Sequence, residues 1–309
     1  MSPDPVLLRG FAAIGGLLCF ATAIALLLRG RIPSNTMKNL RARIRAWWVM
    51  TAVFAVALAT GQVGTLLLFG LLSFFALREY ITLAPTKRGD HRALFWTFFL
   101  VTPLQYILIG WGWYGLFSIL IPVWVFLFLP ARVAIAGDTE HFLERTSKVQ
   151  WGLMICVYSL SHAPALLMLH AAPFNKNARL LFFLVVVVEL GDVLQYVWGK
   201  SIGRHPIVPL VSPNKTWEGA IGGLLCAAGV GAAMWKLTPF LPVGAGLLAL
   251  LTGIAGFAGG VTMSAIKRDS GVKDFGTVIS GHGGVLDRVD SLCFAAPVFF
   301  HLVRYFYGA

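Results

Sequence analysis

Charge is scarce in this sequence. Asp, Glu, Lys and Arg make up 12% of its 309 residues, about half the share of a water-soluble domain. A surface facing water on all sides cannot be built from so few, which excludes an ordinary soluble protein. Low-complexity tracts are missing and 58% of the residues are apolar, which excludes a disordered chain. Cysteine is scarce too. Cys19, Cys156, Cys226 and Cys293 all sit inside apolar runs, where a thiol serves as a small buried hydrophobe, so neither a disulfide framework nor a zinc site is expected. Without Gly-x-x-x-x-Gly-Lys-Ser/Thr the chain is no P-loop ATPase. The absence of Gly-x-Ser-x-Gly and His-Glu-x-x-His counts against serine hydrolases and zinc proteases of the familiar kinds.

What is present is apolar length. Mean hydropathy is +0.78, and a membrane-crossing helix takes about 20 mostly apolar residues. Ten spans are predicted, so the expected fold is an all-α polytopic membrane bundle of nine to ten helices. The first is Val6–Leu28, which is too long for a signal peptide and is read as retained. Ala46–Leu77 and Leu94–Leu129 are uncharged for 32 and 36 residues. Each is read as a hairpin, turning at Gly61-Gln62 and at Gly110-Trp111-Gly112. Five more follow at about Val149–Leu169, Ala178–Trp198, Gly219–Trp235, Phe240–Met263 and Ser291–Phe306. The chain is taken as one membrane domain, 1–309. Residues 1–148 form N-terminal spans to which the sequence assigns no role, and 178–309 form a catalytic half with cytoplasmic loops 199–218 and 264–290.

The formal charge of +12 on so apolar a chain has two explanations, nucleic acid or membrane topology. Loops 29–45, 78–93, 130–148, 199–218 and 264–290 hold 20 of the 25 Lys and Arg, and all fall on one side. Basic loops mark the cytoplasmic face, so both termini are expected outside it. No soluble basic face exists to bind nucleic acid.

Polarity is concentrated in three places of the second half. Residues 264–290 pack four cations, four carboxylates, His282 and five glycines into 27 positions, a composition that reads as a loop built for backbone access rather than an amphipathic helix. Glycine runs such as Gly281-His282-Gly283-Gly284 let amide groups approach an anion. Asp287 and Asp290 are three apart, share a helical face, and can hold a hard cation between them. Lys267, Arg268, Lys273 and Arg288 supply positive charge for phosphates, with Asp269 and Asp274 completing the cluster. The second place is Ser212-Pro213-Asn214-Lys215-Thr216-Trp217-Glu218-Gly219, where Ser212 or Asn214 is expected to cap a helix whose N-terminus, beside Lys215, suits a phosphate. The third is buried: Glu189 and Asp192 interrupt an apolar span, at a cost of about 2.5 to 3.5 kcal/mol per carboxylate, with Gln195 and Tyr196 continuing the stripe. Carboxylate-bound Mg²⁺ beside a phosphate cradle is equipment for phosphoryl or nucleotidyl transfer.

The residues from Ser264 to Asp290, reading Ser-x-Ile-Lys-Arg, four residues, Lys273-Asp274-x-Gly276, then His282-Gly283-Gly284-Val285-x-Asp287-Arg288-Val289-Asp290, resemble the signature of the phosphatidate cytidylyltransferases, the CDP-diacylglycerol synthases. The 212–219 segment looks like that family's Ser-Pro-x-Lys-Thr-x-Glu-Gly element, and Asp192-x-x-Gln195-Tyr196-x-x-Gly199 is similar to its Asp-x-x-Ala-Tyr-x-x-Gly element. Ser280 stands where the family has Pro or Gly, and Gln195 where Ala is common, which leaves open a divergent branch. The likeness covers about residue 185 onward. It implies cytidylyl transfer from CTP to phosphatidic acid, forming CDP-diacylglycerol and pyrophosphate with Mg²⁺ on Asp192, Asp274, Asp287 and Asp290, with a second cation as a further expectation. On this reading Lys267, Arg268, Lys273, Arg288 and His282 serve the transferring phosphates. Ser212, Asn214, Lys215, Thr216, Glu218, Gly283, Gly284 and Tyr196 bind substrate. The site is expected to face the cytoplasm from a bacterial inner membrane, in contact with membrane lipids, with a homodimer as a further expectation. Two alternatives are a CTP-dependent enzyme acting on another lipid, such as an isoprenoid phosphate, and an ion-coupled transporter using Glu189 and Asp192. Against transport, the polarity gathers at one surface rather than at the midplane.

Overall fold

The computed structural model describes residues 4–28, 33–84, 86–137, 139–169, 177–278 and 283–307. Ten helices carry the fold: α1 Pro5–Leu27, α2 Ser34–Ala59, α3 Gly61–Thr82, α4 Arg88–Gly110, α5 Tyr114–Ala134, α6 Phe142–Met168, α7 Asn177–Ile202, α8 Trp217–Ala233, α9 Pro242–Asp269 and α10 Leu286–Tyr307. Among the described residues nine are long and apolar enough to cross a membrane, and α8, with 17 residues, is shorter. The protein is an integral membrane helical bundle. Both hairpins turn where the glycines suggest, at Gly61 (φ 77) and at Gly112 (φ 69). Helices α4, α5 and α6 each contain a widened π-type turn, at Thr97–Val101, Leu120–Val125 and Leu153–Ser159. Pro103 follows the first and Pro122 lies in the second, where the missing N–H loosens the ladder.

Three expectations about boundaries change. Helix α2 starts at Ser34, twelve residues before Ala46, so Lys38, Arg41, Arg43 and Arg45 ride on its first turns instead of a loop. Long cationic side chains allow this, because their stems pack along the helix while their heads reach the interface. Ser264 to Asp269 also belong to a helix, the last turns of α9, where Lys267 and Arg268 suit the negative end of the dipole. The described non-helical residues between α9 and α10 are therefore 270–278 and 283–285. Third, neither Ser212 nor Asn214 caps a helix. Ser212–Thr216 is a strand, β2, paired antiparallel with β1, Pro206–Val208, and Thr216 is the cap of α8, its hydroxyl accepting from Gly219 N–H at 3.2 Å.

Polar cross-links define the two ends of the bundle. At the far end Arg179 of α7 grips Asp4 ahead of α1 through two 2.6 Å bonds, and the Arg304 guanidinium lies 3.4 Å from the Tyr114 ring centre. At the site end Arg145 of α6 holds Asp90 at 2.7 and 2.9 Å, and Glu79 of α3 reaches the start of α10. Helices α7 and α8 meet backbone to backbone. A Cβ on Gly223 would lie 2.5 Å from Gln195 N, and one on Gly219 2.9 Å from Gln195 O. That contact, possible only without side chains, sets the β2 end of α8 beside Asp192.

Candidate active site

Four segments converge at one end of the bundle: the middle of α7, β2 with the start of α8, the last turns of α9, and residues 270–278 together with 283–285 at the start of α10. They enclose two adjoining cavities of about 290 and 720 Å³. Asp192, Tyr196, Asp287, Arg288 and Asp290 line both, so the two form one polar cleft divided by these side chains.

The smaller cavity adds Gln195, Asn214, Lys215, Thr216, Gly219, Gly260 and Ser291. Lys215 enters it from β2 over the Phe257 ring, 4.7 Å from its centre. Gly260 makes the room, since a Cβ there would stand 2.8 Å from the Lys215 ammonium. Burial pushes the Lys215 ammonium below the usual lysine range, while Asp192 and Asp290 draw it back up. Asp192, Lys215, Arg288 and Ser291 face one another across this cavity. The larger cavity adds Glu189, Lys273, Asp274, Thr277 and Gly283, together with Arg43 and Trp47 of α2. Arg288 carries a buried Nε with no hydrogen-bond partner, a donor held ready on the wall between the cavities. Such a group is costly unless something accepts its proton.

Asp287 is more committed than its neighbours. One oxygen accepts from Lys267 at 2.9 Å, and the other accepts the Phe275 and Gly284 N–H groups at 2.9 Å each. It thereby joins Phe275 to Gly284, and Gly283 meets it with φ 83, a left-handed backbone that suits glycine. Asp290 keeps a looser position, 4.0 Å from Lys267, with one oxygen accepting Ser291 N–H at 2.8 Å. Among the described residues no three His, Cys, Asp or Glu side chains close around a point as a metal cage would.

Several residues singled out from sequence stand outside the cleft. Arg268 donates to the carbonyls of Val211 and Val272, tying the hairpin to the residues that follow α9. The Glu218 carboxylate accepts from the Arg204 and His205 amides at 3.1 and 3.3 Å and meets His205 Nδ1 at 2.5 Å, so it fastens the chain entering β1. Ser212 lines neither cavity, and Asp269 lines a separate one beside Tyr80 and Trp151. Lys267 touches the cleft through Asp287. His282 and Ser280 lie outside the described residues.

Sequence reasoning missed Glu79, Arg43 and Trp47, all in the first half. Glu79 is 6% exposed, and its two oxygens accept Val285 and Leu286 N–H at 2.9 Å each, capping α10 from a distant span. Gly276 and Gly284 lie against the same carboxylate, with a Cβ on Gly276 falling 2.6 Å from Oε1. The available signal was scarcity: Glu79 is one of 13 acids in the chain and sits at the end of an apolar helix.

Residues 41–306 match the model of the cytidylyltransferase family. The uncharacterized protein YnbB of Escherichia coli K12 is 43% identical over 298 residues, 96% of this chain and 98% of its own. Phosphatidate cytidylyltransferases of Staphylococcus haemolyticus and Staphylococcus aureus strain COL are 37% and 34% identical over 146 and 148 residues. Each of these two matches covers 46% of this chain and 56% of the relative.

Proposed function

We propose, from the premise that this chain belongs to the cytidylyltransferase family and is a nucleotidyltransferase, that it transfers a cytidylyl group from CTP to phosphatidic acid, releasing pyrophosphate and leaving CDP-diacylglycerol in the membrane. The observation that carries the reading is the shared wall of Asp192, Tyr196, Asp287, Arg288 and Asp290, where three carboxylates and the Arg288 guanidinium from two helices, α7 and α10, meet. The active site would face the cytoplasm, where CTP is dissolved and where the basic loops point, and the membrane would be the bacterial inner one.

The chemistry asks for little proton movement. A lipid phosphate is already anionic, so its oxygen attacks the α-phosphorus without a strong base, and the bond to the bridging oxygen breaks as pyrophosphate leaves. The obstacle is bringing two anions together. Lys215, Lys273 and Arg288 line the cleft as counter-charges, and the unpartnered Arg288 Nε would be available to a phosphate oxygen. Tyr196 and Asn214 offer neutral polar contacts at the mouth. Mg²⁺ typically takes one or two carboxylates, keeps water, and completes its shell with substrate phosphates. Asp192 and Asp290, the less committed acids of the wall, suit such an ion, and Asp274 stands at the rim of the larger cavity. When bound it neutralises the triphosphate and the leaving group. Asp287, its oxygens taken by Lys267 and two amides, orders the turn that presents Gly283 and Gly284.

A second reading concerns the lipid. Gln195, which replaces the family's usual Ala, lines the smaller cavity itself, so the acceptor can differ from phosphatidic acid, an isoprenoid phosphate being one candidate. The deciding experiment incubates purified protein with labelled CTP, Mg²⁺ and a panel of lipid phosphates. A lipid-linked CMP formed best from phosphatidic acid supports the first reading, and one formed best from another lipid phosphate supports the second. No lipid product from any member, together with solute flux across sealed liposomes, would overturn both.

A further inference from the structure

A second basic cavity, of about 360 Å³, opens at the same end of the bundle. Arg88 and Arg92 contribute from the start of α4, Arg132 from the end of α5, and Gly89, Ile135 and Ala136 complete the lining. None of these residues lines the active-site cleft.

Three guanidinium groups around one small space oppose one another, and like charges one helical turn apart, as at Arg88 and Arg92, are unfavourable by themselves. Among the described residues, nearby acids do not relieve them. Asp90, the carboxylate within the same turn, is 3% exposed and faces away, its oxygens accepting from Arg145 at 2.9 and 2.7 Å and from Lys87 N–H at 2.9 Å. Glu140 meets Lys87 and Glu144 meets Lys148. Among the described residues, Arg88, Arg92 and Arg132 make no hydrogen bond or ion pair with any of these acids. The rim says where the ligand comes from. Ile135, which lines the cavity, is 79% exposed. Apolar side chains laid bare at the end of a span belong beside lipid, at the depth where headgroup phosphates lie.

We propose that Arg88, Arg92 and Arg132 form a binding site for a phosphate-bearing anion, namely the headgroup of an anionic membrane lipid, distinct from the active-site cleft. Guanidinium forks match pairs of phosphate oxygens, and Gly89 leaves space for a headgroup to approach the helix start. The site binds a lipid that is not consumed and couples the α4–α5 end of the bundle to the charge of the leaflet.

The test measures lipid retention and does not depend on cytidylyl transfer. Purified protein is equilibrated with mixed micelles of a zwitterionic and an anionic phospholipid, and bound lipids are counted by native mass spectrometry for the wild type, R88Q, R92Q, R132Q and the triple variant. Each surface Arg facing anionic lipid is worth about a fivefold change in affinity. Retention of the anionic lipid should therefore fall about fivefold in each single variant and on the order of a hundredfold in the triple, with zwitterionic lipid unchanged. Arg88 and Arg92 are exposed, so their single variants carry the test if the triple variant does not fold. Competition by millimolar inorganic phosphate at the same three residues would assign the site to soluble phosphate compounds, keeping the anion chemistry and replacing its source. Anionic-lipid retention equal to wild type in R88Q, R92Q and R132Q would overturn the proposal.

Discussion

Glu79 offers the sharpest test of how the fold holds the site. Its carboxylate accepts two backbone N–H groups at the start of α10 while 6% exposed. A hydrogen bond to a charged group contributes about 1.5 to 3 kcal/mol, and a buried donor left without a partner costs about 1 to 3 kcal/mol. Taking the low end for both bonds, Glu79→Ala should destabilise the protein by about 3 kcal/mol, a fall of about 6 to 12 °C in Tm for a chain of this size. Glu79→Gln keeps the shape but turns an NH2 group toward an amide N–H, and should cost about 2 kcal/mol. Thermal unfolding in detergent, followed by tryptophan fluorescence, reads both numbers. A double-mutant cycle isolates the contact. Gly284→Ala drives a methyl into the Glu79 carboxylate, so its penalty should be large in the wild type and much reduced in the Glu79→Ala background. Strictly additive penalties, or a Glu79→Ala protein with wild-type Tm and turnover, would show that the clamp does not hold the site.

Four further outcomes follow from the same geometry. Asp290→Asn and Asp192→Asn should each lower turnover at least a hundredfold with the fold intact, and should weaken Mn²⁺ binding followed by electron paramagnetic resonance; unaltered Mn²⁺ affinity in both would remove them from the metal site. Gly260→Ala puts a methyl 2.8 Å from the Lys215 ammonium and should raise the KM for CTP about tenfold with little change in Tm, a loss of roughly 1.4 kcal/mol in binding. Arg43→Gln should raise the same KM severalfold, because Arg43 lines the larger cavity from outside the second half; an unchanged KM would confine nucleotide binding to residues 178–309. Glu218→Gln should lower Tm and leave KM near wild type, since its carboxylate serves the Arg204 and His205 amides.

The parts of this protein legible in sequence are those set by local chemistry. Ten apolar runs gave ten helices because backbone polar groups in lipid must be satisfied within the segment, and the glycines at 61 and 110–112 marked turns because few other residues adopt the conformations found there. The second-half cluster was legible because its residue types are expensive in a membrane. Tertiary partners were not. Nothing local to Glu79 tells that it caps a helix 206 positions later, nor that Glu218, inside a phosphate-like motif, serves the preceding loop. Asp287 was read as a metal ligand from its spacing to Asp290, a periodicity that cannot reveal two amide donors arriving from Phe275 and Gly284.

The charges of the cleft explain why these partners matter. Glu189, Asp192, Asp274, Asp287 and Asp290 face Arg43, Lys215, Lys273 and Arg288, with Lys267 already paired to Asp287. The side chains nearly neutralise one another, which lets so many charged groups stand together at the end of a membrane bundle without a large self-repulsion. Such a balance leaves little positive charge in reserve. In the proposed reaction a triphosphate and a lipid phosphate would both bring negative charge, so counter-charge would have to enter with them, a need that a divalent ion bound jointly by nucleotide and acid would meet. On this arithmetic, free nucleotide should bind weakly and the metal–nucleotide complex well, because acids that repel the first would attract the second. Affinity for CTP measured with and without Mg²⁺ separates the cases, and equal affinities would mean that the carboxylates serve the architecture of the cleft and not its chemistry.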